Sequence, residues 1–390
     1  ITQKLGIDIN NNTPDQNKNN SSFFILLGSL DGSKLTKDIL QDSIAKQDEH
    51  FGFMPKIEFG YIDQLSSQVT NVSDPTNQKI EALEKIVQKQ QEILNQILTE
   101  EKNKRSIIES PENECKKLKN KVDNNQLTKV DLPFYLPFIP SSAFLNCSKL
   151  QEVNIPSSVT YISQFAFYKC TSLTKISIPS SVTSFGVCAF SECTSLKNII
   201  IPSSVIFIGN FCFNNCSSLT SIDIPNSLTY LGGSAFLDCK SLKTVIIPTS
   251  INEINLNTFQ NCISLVEFTL PASINCIKEN AFRGCSSLKN IELPGNLHEI
   301  SSYCFRSCSA LKSITIPASV SVIRNGAFLD CLTLVNVNIS SSVTLIEHSA
   351  FLNCRSLKEI VIPTSVLSIC PKVFEDCKSL TSIEIPPSVS

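Results

Sequence analysis

The amino-acid sequence predicts a solenoid of stacked repeats that follows a helical segment and a small N-terminal region. The first observation is a fixed period, because eleven cysteines from Cys147 to Cys377 follow one another at intervals of 23 residues. The second is that a phenylalanine lies three residues before each of these cysteines and a leucine three residues after it. No insertion or deletion interrupts the series. Residues 130–390 are therefore predicted to form a repeat array that opens with an N-terminal cap.

Within one repeat, Leu173, Ile176 and Ile178 have the spacing of a short strand that buries alternate side chains. Pro179 ends this strand because it has no N–H to donate. Val182 and Phe185 are expected to turn the chain back over the core. An L-x-x-I-x-I core at a period of about 20–29 residues indicates a leucine-rich repeat. We therefore predict a horseshoe or ribbon of eleven repeats, with a parallel sheet on its concave face.

Composition narrows the function classes. The chain has 390 residues, of which 42% are hydrophobic and 17% charged, and a formal net charge of −2. These values fit a folded protein and give no basic excess that would indicate nucleic acid. No apolar run approaches a membrane span of about 18 residues, and no signal peptide is visible. The chain begins with Ile1 and ends within a repeat, so neither end is expected to be a natural terminus. At the C-terminal end two alternatives remain open: further repeats follow, or something else covers the exposed strand edge.

The region before the repeats divides into three segments. Residues 1–72 are predicted to be partly disordered, with scattered apolar pieces that fit a small α+β unit. Residues 73–105 are predicted to form one long amphipathic helix, which begins at the capping sequence Ser73-Asp74-Pro75. Residues 106–129 are charged and polar, and are predicted to be a solvated linker.

The helix carries an apolar seam with coiled-coil spacing. Two interpretations remain open: homo-oligomerisation through residues 75–104, or packing of this helix on its own N-terminal region. The predicted seam positions are Ile80, Leu83, Val87, Gln90, Leu94 and Ile97.

The seventeen cysteines raise the question of metal or disulfide chemistry. Eleven occupy one position of the repeat, so they should stack inside the solenoid as small apolar side chains. A strict spacing of 23 residues does not bring two short-spaced pairs together, as a zinc site requires. The three histidines have no nucleophile at motif spacing. We therefore predict no metal, no cofactor and no catalytic activity, although residues 1–72 contain no motif that settles their role.

The side chains between the inward-facing strand residues should form the partner-binding surface. They include lysines, acids and a few aliphatic residues, without the Trp, Tyr or Arg side chains that dominate interface hot spots. We therefore expect a broad, weak and multivalent binding surface. The candidate positions are Lys175, Lys197, Ile200, Asp223, Lys243, Ile246, Glu267, Lys289, Glu292, Lys312, Lys358 and Val361.

The phrase IPSSV at 155–159, 178–182 and 201–205, with AFLDC at 235–239 and 327–331, is more specific than a generic leucine-rich repeat. It resembles the BspA-like leucine-rich repeats of surface proteins from anaerobic bacteria and protist parasites. The resemblance implies an extended protein-binding surface, and some members resemble adhesins for host extracellular-matrix proteins. It therefore favours the cell surface and a matrix or surface-protein partner. The missing leader and the unpaired cysteines favour the alternative, a cytoplasmic scaffold oligomerised by the N-terminal helix.

Overall fold

The computed structural model describes residues 110–389 together with Gln88, Lys89 and Glu92. In this part of the chain the repeats form successive coils, and every strand pairs in parallel with at least one counterpart 23 residues before or after it. Val153, for example, lies opposite Ile176. The prediction of a parallel-stranded leucine-rich-repeat solenoid is confirmed. The helix-seam positions predicted between residues 80 and 97 lie outside the described residues.

The first stack of strands, column one, is the predicted L-x-x-I-x-I sheet. Isolated bridges from Ile200 to Asp223 and from Ile246 to Thr269 join its segments. Within residues 110–389 the strands of column one are β1 (Lys129–Asp131), β2 (Glu152–Asn154), β4 (Lys175–Ser177), β7 (Ser221–Asp223), β9 (Thr244–Ile246), β11 (Glu267–Phe268), β13 (Asn290–Ile291), β15 (Ser313–Thr315) and β17 (Asn336–Asn338).

A second parallel stack, column two, forms where the sequence predicted that the chain would turn back. Ser184 and Phe185 are paired on both sides, so this segment is a strand and not a turn. Within residues 110–389 the strands of column two are β3 (Tyr161–Ile162), β5 (Ser184–Phe185), β6 (Phe207–Ile208), β8 (Tyr230–Leu231), β10 (Glu253–Ile254), β12 (Cys276–Ile277), β14 (Glu299–Ile300), β16 (Val322–Ile323), β18 (Leu345–Ile346) and β19 (Ser368–Ile369).

The core repeats the same contacts in every coil. The invariant phenylalanines, from Phe144 to Phe374, form one ladder of rings with centroids 5.2–5.8 Å apart and planes 3–14° apart. Such offset stacking adds to the free energy gained from burying the rings. Each coil therefore depends on its two neighbours, as in other one-dimensional arrays.

The turn between column two and the invariant cysteine has two residues in the left-handed region, four positions apart. Asn257 and Asn261 illustrate the pair, with φ of 56° and 59°. Asparagine tolerates this conformation better than most residues. The N–H of Asn261 donates to the carbonyl of Arg283 in the next coil at 2.7 Å, so the turn also forms a ladder.

A helix within residues 110–389, α1 (Pro111–Asp123), corrects the prediction of a solvated linker over residues 106–129. Its N-terminus is capped by Ser110, whose side chain accepts a hydrogen bond from the Asn113 N–H, and Pro111 is the first helical residue. Cys115 and Val122 are buried against the solenoid core.

Lys119 links α1 to the first coil. Its Nζ donates to the Leu145 carbonyl and lies 3.5 Å from the Cys147 sulfur and 3.4 Å from the Asp123 carboxylate. Cys147 is the first thiol of the ladder, and it has no preceding phenylalanine carbonyl to bond. Together with β1, helix α1 covers the N-terminal end of the array.

Candidate partner-binding faces

The outward side chains of column one form the column-one face, which contains all twelve predicted partner-binding residues. Every one of them is exposed. The three aliphatic members protrude furthest, since Ile200, Ile246 and Val361 are 83%, 70% and 79% exposed. Isolated apolar side chains at the surface are ordinary in soluble proteins. Because these three side chains occupy the same repeat position, they lie in one row along the solenoid and are not randomly distributed.

Five of the predicted lysines share a different row. Lys243, Lys289 and Lys312 come directly before β9, β13 and β15, and Lys197 and Lys358 occupy the same repeat position. Within residues 110–389 none of these five ammonium groups has a carboxylate within 4.0 Å. The row is therefore a line of unpaired positive charge, beside acidic residues such as Asp223 and Glu292 on the same face.

Lys175 differs from the other predicted lysines because it is already paired. Its Nζ lies 3.1 Å from the Glu152 carboxylate, which also contacts Lys129 at 3.3 Å. The hydrogen bonds from Lys175 and Lys129 lower the pKa of Glu152. This cluster at the first coils is exposed, so we expect little stabilisation from it.

The column-two face holds a feature that the sequence analysis missed. Phe138 stacks on Tyr161, and Phe207 stacks on Tyr230, with ring centroids 4.9 Å apart in both pairs and planes 9° and 10° apart. We call these four residues the aromatic strip. Outside the column-one face, four other large apolar side chains between residues 187 and 256 are exposed: Val187, Ile206, Phe211 and Leu256.

The strip arises from strand alternation. Ile162, Phe185, Ile208 and Leu231 point into the core, so the residue before each must point outward. The signal was available in the sequence as the series 138, 161, 184, 207, 230, but Phe, Tyr and Ser share these positions, so no single residue type marks them. This face carries the aromatic side chains that the predicted surface lacks.

Glycines beside the strip bring successive coils close together. A Cβ added to Gly186, Gly209 or Gly232 would lie 2.4–2.7 Å from the nearest backbone atom of the preceding coil. None of these three glycines can therefore be replaced by a residue with a side chain unless the backbone moves. As a result, one flank of the strip is bare.

In later coils the same face is charged. Lys278 lies 3.0 Å from Glu253, and Arg324 lies 2.7 Å from Glu299 and 2.8 Å from Glu347. Hydrogen bonds to Glu347 and Glu299 raise the pKa of Arg324. The column-two face is thus aromatic in its early coils and an ion-pair network in its later ones.

The cysteines form a third ladder, and all seventeen are free. From Cys170 onward each ladder thiol donates to the carbonyl of a phenylalanine 26 residues earlier, at 3.1–3.3 Å. Burial raises the pKa of Cys216 to about 12. The off-register Cys212 and Cys304 are buried too, in the small-residue position of their coils. Neutral, hydrogen-bonded thiols of this kind are structural groups and poor nucleophiles.

Two further observations bear on function. Over the described residues, no group of three or more His, Cys, Asp or Glu side chains is arranged to hold a metal ion. In the same part of the chain, no helix combines the length and apolar content that crossing a bilayer requires.

The repeats match a known protein family. A family model described as a BspA type leucine rich repeat region matches residues 118–241, 206–334 and 298–390, which is more than half of the chain. The chain belongs to the BspA-type leucine-rich-repeat family. Among curated proteins no sequence match was found.

Solved structures with similar solenoids come from several bacteria. A leucine-rich repeat protein from Bacteroides ovatus is 29% identical, with a TM-score of 0.54 over 68% of this chain and 82% of that one. A leucine rich cell surface protein from Faecalibacterium prausnitzii is 27% identical, with a TM-score of 0.48 over 66% and 87%. A leucine-rich repeat protein from T. pallidum is 32% identical, with a TM-score of 0.39 over 42% and 78%.

Leucine-rich-repeat proteins are generally non-enzymatic binding proteins, and the BspA-type repeats here are consistent with a protein-binding or surface role. The solenoid offers such a partner two faces of stacked parallel strands. The side chains on the two faces differ in chemistry, so the two faces can bind different parts of a partner.

Proposed function

We propose that this BspA-type solenoid binds a protein partner at a cell surface, either a host extracellular-matrix protein or another surface protein. The row of five unpaired lysines on the column-one face carries the proposal. Three protruding aliphatic side chains lie in a neighbouring row of the same face. Charge of one sign arranged along a line steers a partner of opposite charge, while apolar side chains beside it supply buried area.

The partner that fits this face has an acidic, extended surface. The lysines lie one or two coils apart, so neighbouring charges are separated by about 5–10 Å along the column at the usual strand spacing. A partner with one acidic group per few residues can meet several of them at once. Each contact is weak on its own, and several together give useful avidity.

Charge reversal tests the proposal. The triple variant Lys243→Glu, Lys289→Glu and Lys312→Glu should weaken binding to a panel of purified matrix proteins by about tenfold or more, and binding should fall with rising salt. Surface plasmon resonance measures both effects.

The matched control changes the same charge elsewhere on the solenoid. Lys149→Glu, Lys240→Glu and Lys378→Glu lie in the segment between the invariant cysteine and leucine and are exposed. This control should bind like the wild type. Equal loss in both triple variants would show that net charge alone is responsible and would contradict a binding role for the column-one face.

A second candidate function is supported by the free thiols. Seventeen unpaired cysteines are typical of a protein in a reducing compartment. This favours an intracellular scaffold that oligomerises through residues 75–104. An antibody against residues 1–72, applied to intact and permeabilised cells, separates the two functions. Staining of intact cells supports the surface protein, and staining after permeabilisation alone supports the scaffold.

A further inference from the structure

The aromatic strip has one interrupted rung. Tyr161 lies opposite Ser184, and Ser184 lies opposite Phe207, in three successive strands of column two. The rungs on either side of this trio are also rings, Phe138 and Tyr230. The strip is therefore a ladder of five positions with a serine in the middle one.

The spacing of this ladder defines the size of the gap. Rings on adjacent rungs are 4.9 Å apart, which is the distance between neighbouring strands. Tyr161 and Phe207 are two rungs apart, so their rings are separated by about 10 Å. A single planar ring at the middle rung would stack on both of them at the spacing the strip already uses, within the range that aromatic pairs prefer.

The gap is open to solvent and uncharged. Tyr161 is 40% exposed and Phe207 is 39% exposed, so the edges of both rings face outward. The floor of the gap is the small side chain of Ser184, and Gly186 leaves one flank without a side chain. Ion pairs of this face begin at Glu253, beyond the strip. A neutral planar group can therefore stack here without meeting a charge from the protein.

The floor also provides a polar group. Within residues 110–389 the Ser184 hydroxyl has no hydrogen-bond partner. It is free to accept an N–H from a ring that enters edge first, as an indole can. Tryptophan combines such a donor with a large ring, and it is among the most frequent anchor residues of protein interfaces.

We propose that the Ser184 rung is a socket for one aromatic side chain of a protein partner, which completes the strip by stacking between Tyr161 and Phe207. The proposal rests on the proposed protein-binding function and extends it to a second face. The lysine row steers the partner electrostatically, and the socket anchors it by stacking. The preferred side chain is tryptophan, because it matches both the ring slot and the hydroxyl.

The socket can be tested with a small probe and the full chain. N-acetyl-tryptophanamide is suitable because the protein contains no tryptophan, so the indole emission of the probe is free of protein background. Titration with wild-type protein should shift this emission to shorter wavelength in a saturable way. N-acetyl-leucinamide should not compete, because it has no ring to stack.

Three variants make the test specific. Ser184→Phe fills the rung from within, so it should weaken probe binding by about tenfold or more while raising the thermal unfolding midpoint. Tyr161→Thr removes one wall and should weaken binding about fivefold. Ser368→Phe is the matched control, since Ser368 occupies the same repeat position but pairs with Leu345 and has no ring beside it. This control should bind the probe like the wild type.

Several outcomes would overturn the proposal. Undiminished binding to Ser184→Phe would place the probe elsewhere, and equal competition by N-acetyl-leucinamide would show an unspecific apolar patch. Binding of neutral oligosaccharides that Ser184→Phe abolishes, with no binding of the tryptophan probe, would assign the strip to a glycan. None of these measurements uses the protein partner. A negative result with the tryptophan probe therefore does not contradict the lysine-reversal experiment, and a negative lysine-reversal result does not contradict the socket.

Discussion

The buried thiols should make the solenoid sensitive to mildly alkaline pH. Burial raises the pKa of the ten buried thiols between Cys170 and Cys331 above the ordinary value of 9.0, which they recover in the unfolded chain. These thiols are Cys170, Cys193, Cys212, Cys216, Cys239, Cys262, Cys285, Cys304, Cys308 and Cys331. Because the folded pKa is the higher one, their contribution to stability is complete below the unfolded pKa and is lost as the pH rises through the interval between the two values.

The size of the effect follows from the number of thiols. With an unfolded pKa of 9.0, each thiol lowers the free energy of unfolding by about 0.4 kcal/mol at pH 9 and about 1.4 kcal/mol at pH 10. Ten of them together remove about 4 kcal/mol and then about 14 kcal/mol. Domains are usually stable by about 5–15 kcal/mol, so the repeats should unfold between pH 9 and 10 without denaturant.

Urea unfolding followed by far-UV circular dichroism measures this dependence, in reducing buffer of constant ionic strength and at several values between about pH 7.5 and about pH 9.5. Lysines and tyrosines also begin to titrate in this range, so variants are needed. The double variant Cys239→Ala and Cys262→Ala should reduce the contribution of these ten thiols to the pH slope by about one fifth, since it removes two of ten groups. Leu242→Ala is the matched control, because it loosens the same core without removing a thiol.

A flat urea midpoint up to pH 9.5 would refute the argument. It would show that the ladder thiols titrate equally in the folded and unfolded chains. The same conclusion would follow if the double cysteine variant kept the full pH slope.

Three further predictions concern the core, the glycines and the N-terminal helix. Leu242→Ala should lower the free energy of unfolding by about 2–5 kcal/mol, because Leu242 is fully buried, and an unchanged urea midpoint would show that the inward register is wrong. Gly209→Ala should lower the thermal midpoint, because the new Cβ would lie 2.7 Å from the backbone of the preceding coil. Gly295→Ala is its control, with nothing within 4 Å of the added carbon, and an equal loss in both variants would remove the steric explanation. In the helix, Val87→Glu with Leu94→Glu should convert a dimer into a monomer by analytical ultracentrifugation, and a wild type that is already monomeric would exclude the seam as an interface.

The sequence predicts the parts of the fold that depend on identical residues. Phe236 and Cys239 have counterparts in every repeat, so their burial and stacking follow from the period alone. The column-one face is also accessible to sequence reasoning, because strand alternation fixes which side chains point outward. What those side chains bind does not follow from alternation, and neither does the pairing of Lys175 with Glu152.

Other parts depend on residues that differ between repeats. The aromatic strip does not appear in a consensus sequence, because Tyr161, Ser184 and Phe207 occupy one repeat position with three different residue types. Helix α1 does not show a clear hydrophobic pattern, because Cys115 and Val122 are its two buried residues and Leu118 is the only apolar residue between them. Its start was nevertheless visible, since Ser110 followed by Pro111 is a common helix N-terminus.

The unbroken period of the coils has a genetic consequence. Because every coil has the same length and pairs only with its neighbours, an in-frame gain or loss of 23 codons would move all later coils by one rung without changing any turn. Removal of the coil that holds Ser184 would place Tyr161 directly against Phe207 and abolish the gap between them. Duplication of the same coil would widen the gap to two rungs. Recombination between repeats could thus alter what the surface recognises while the backbone geometry is preserved.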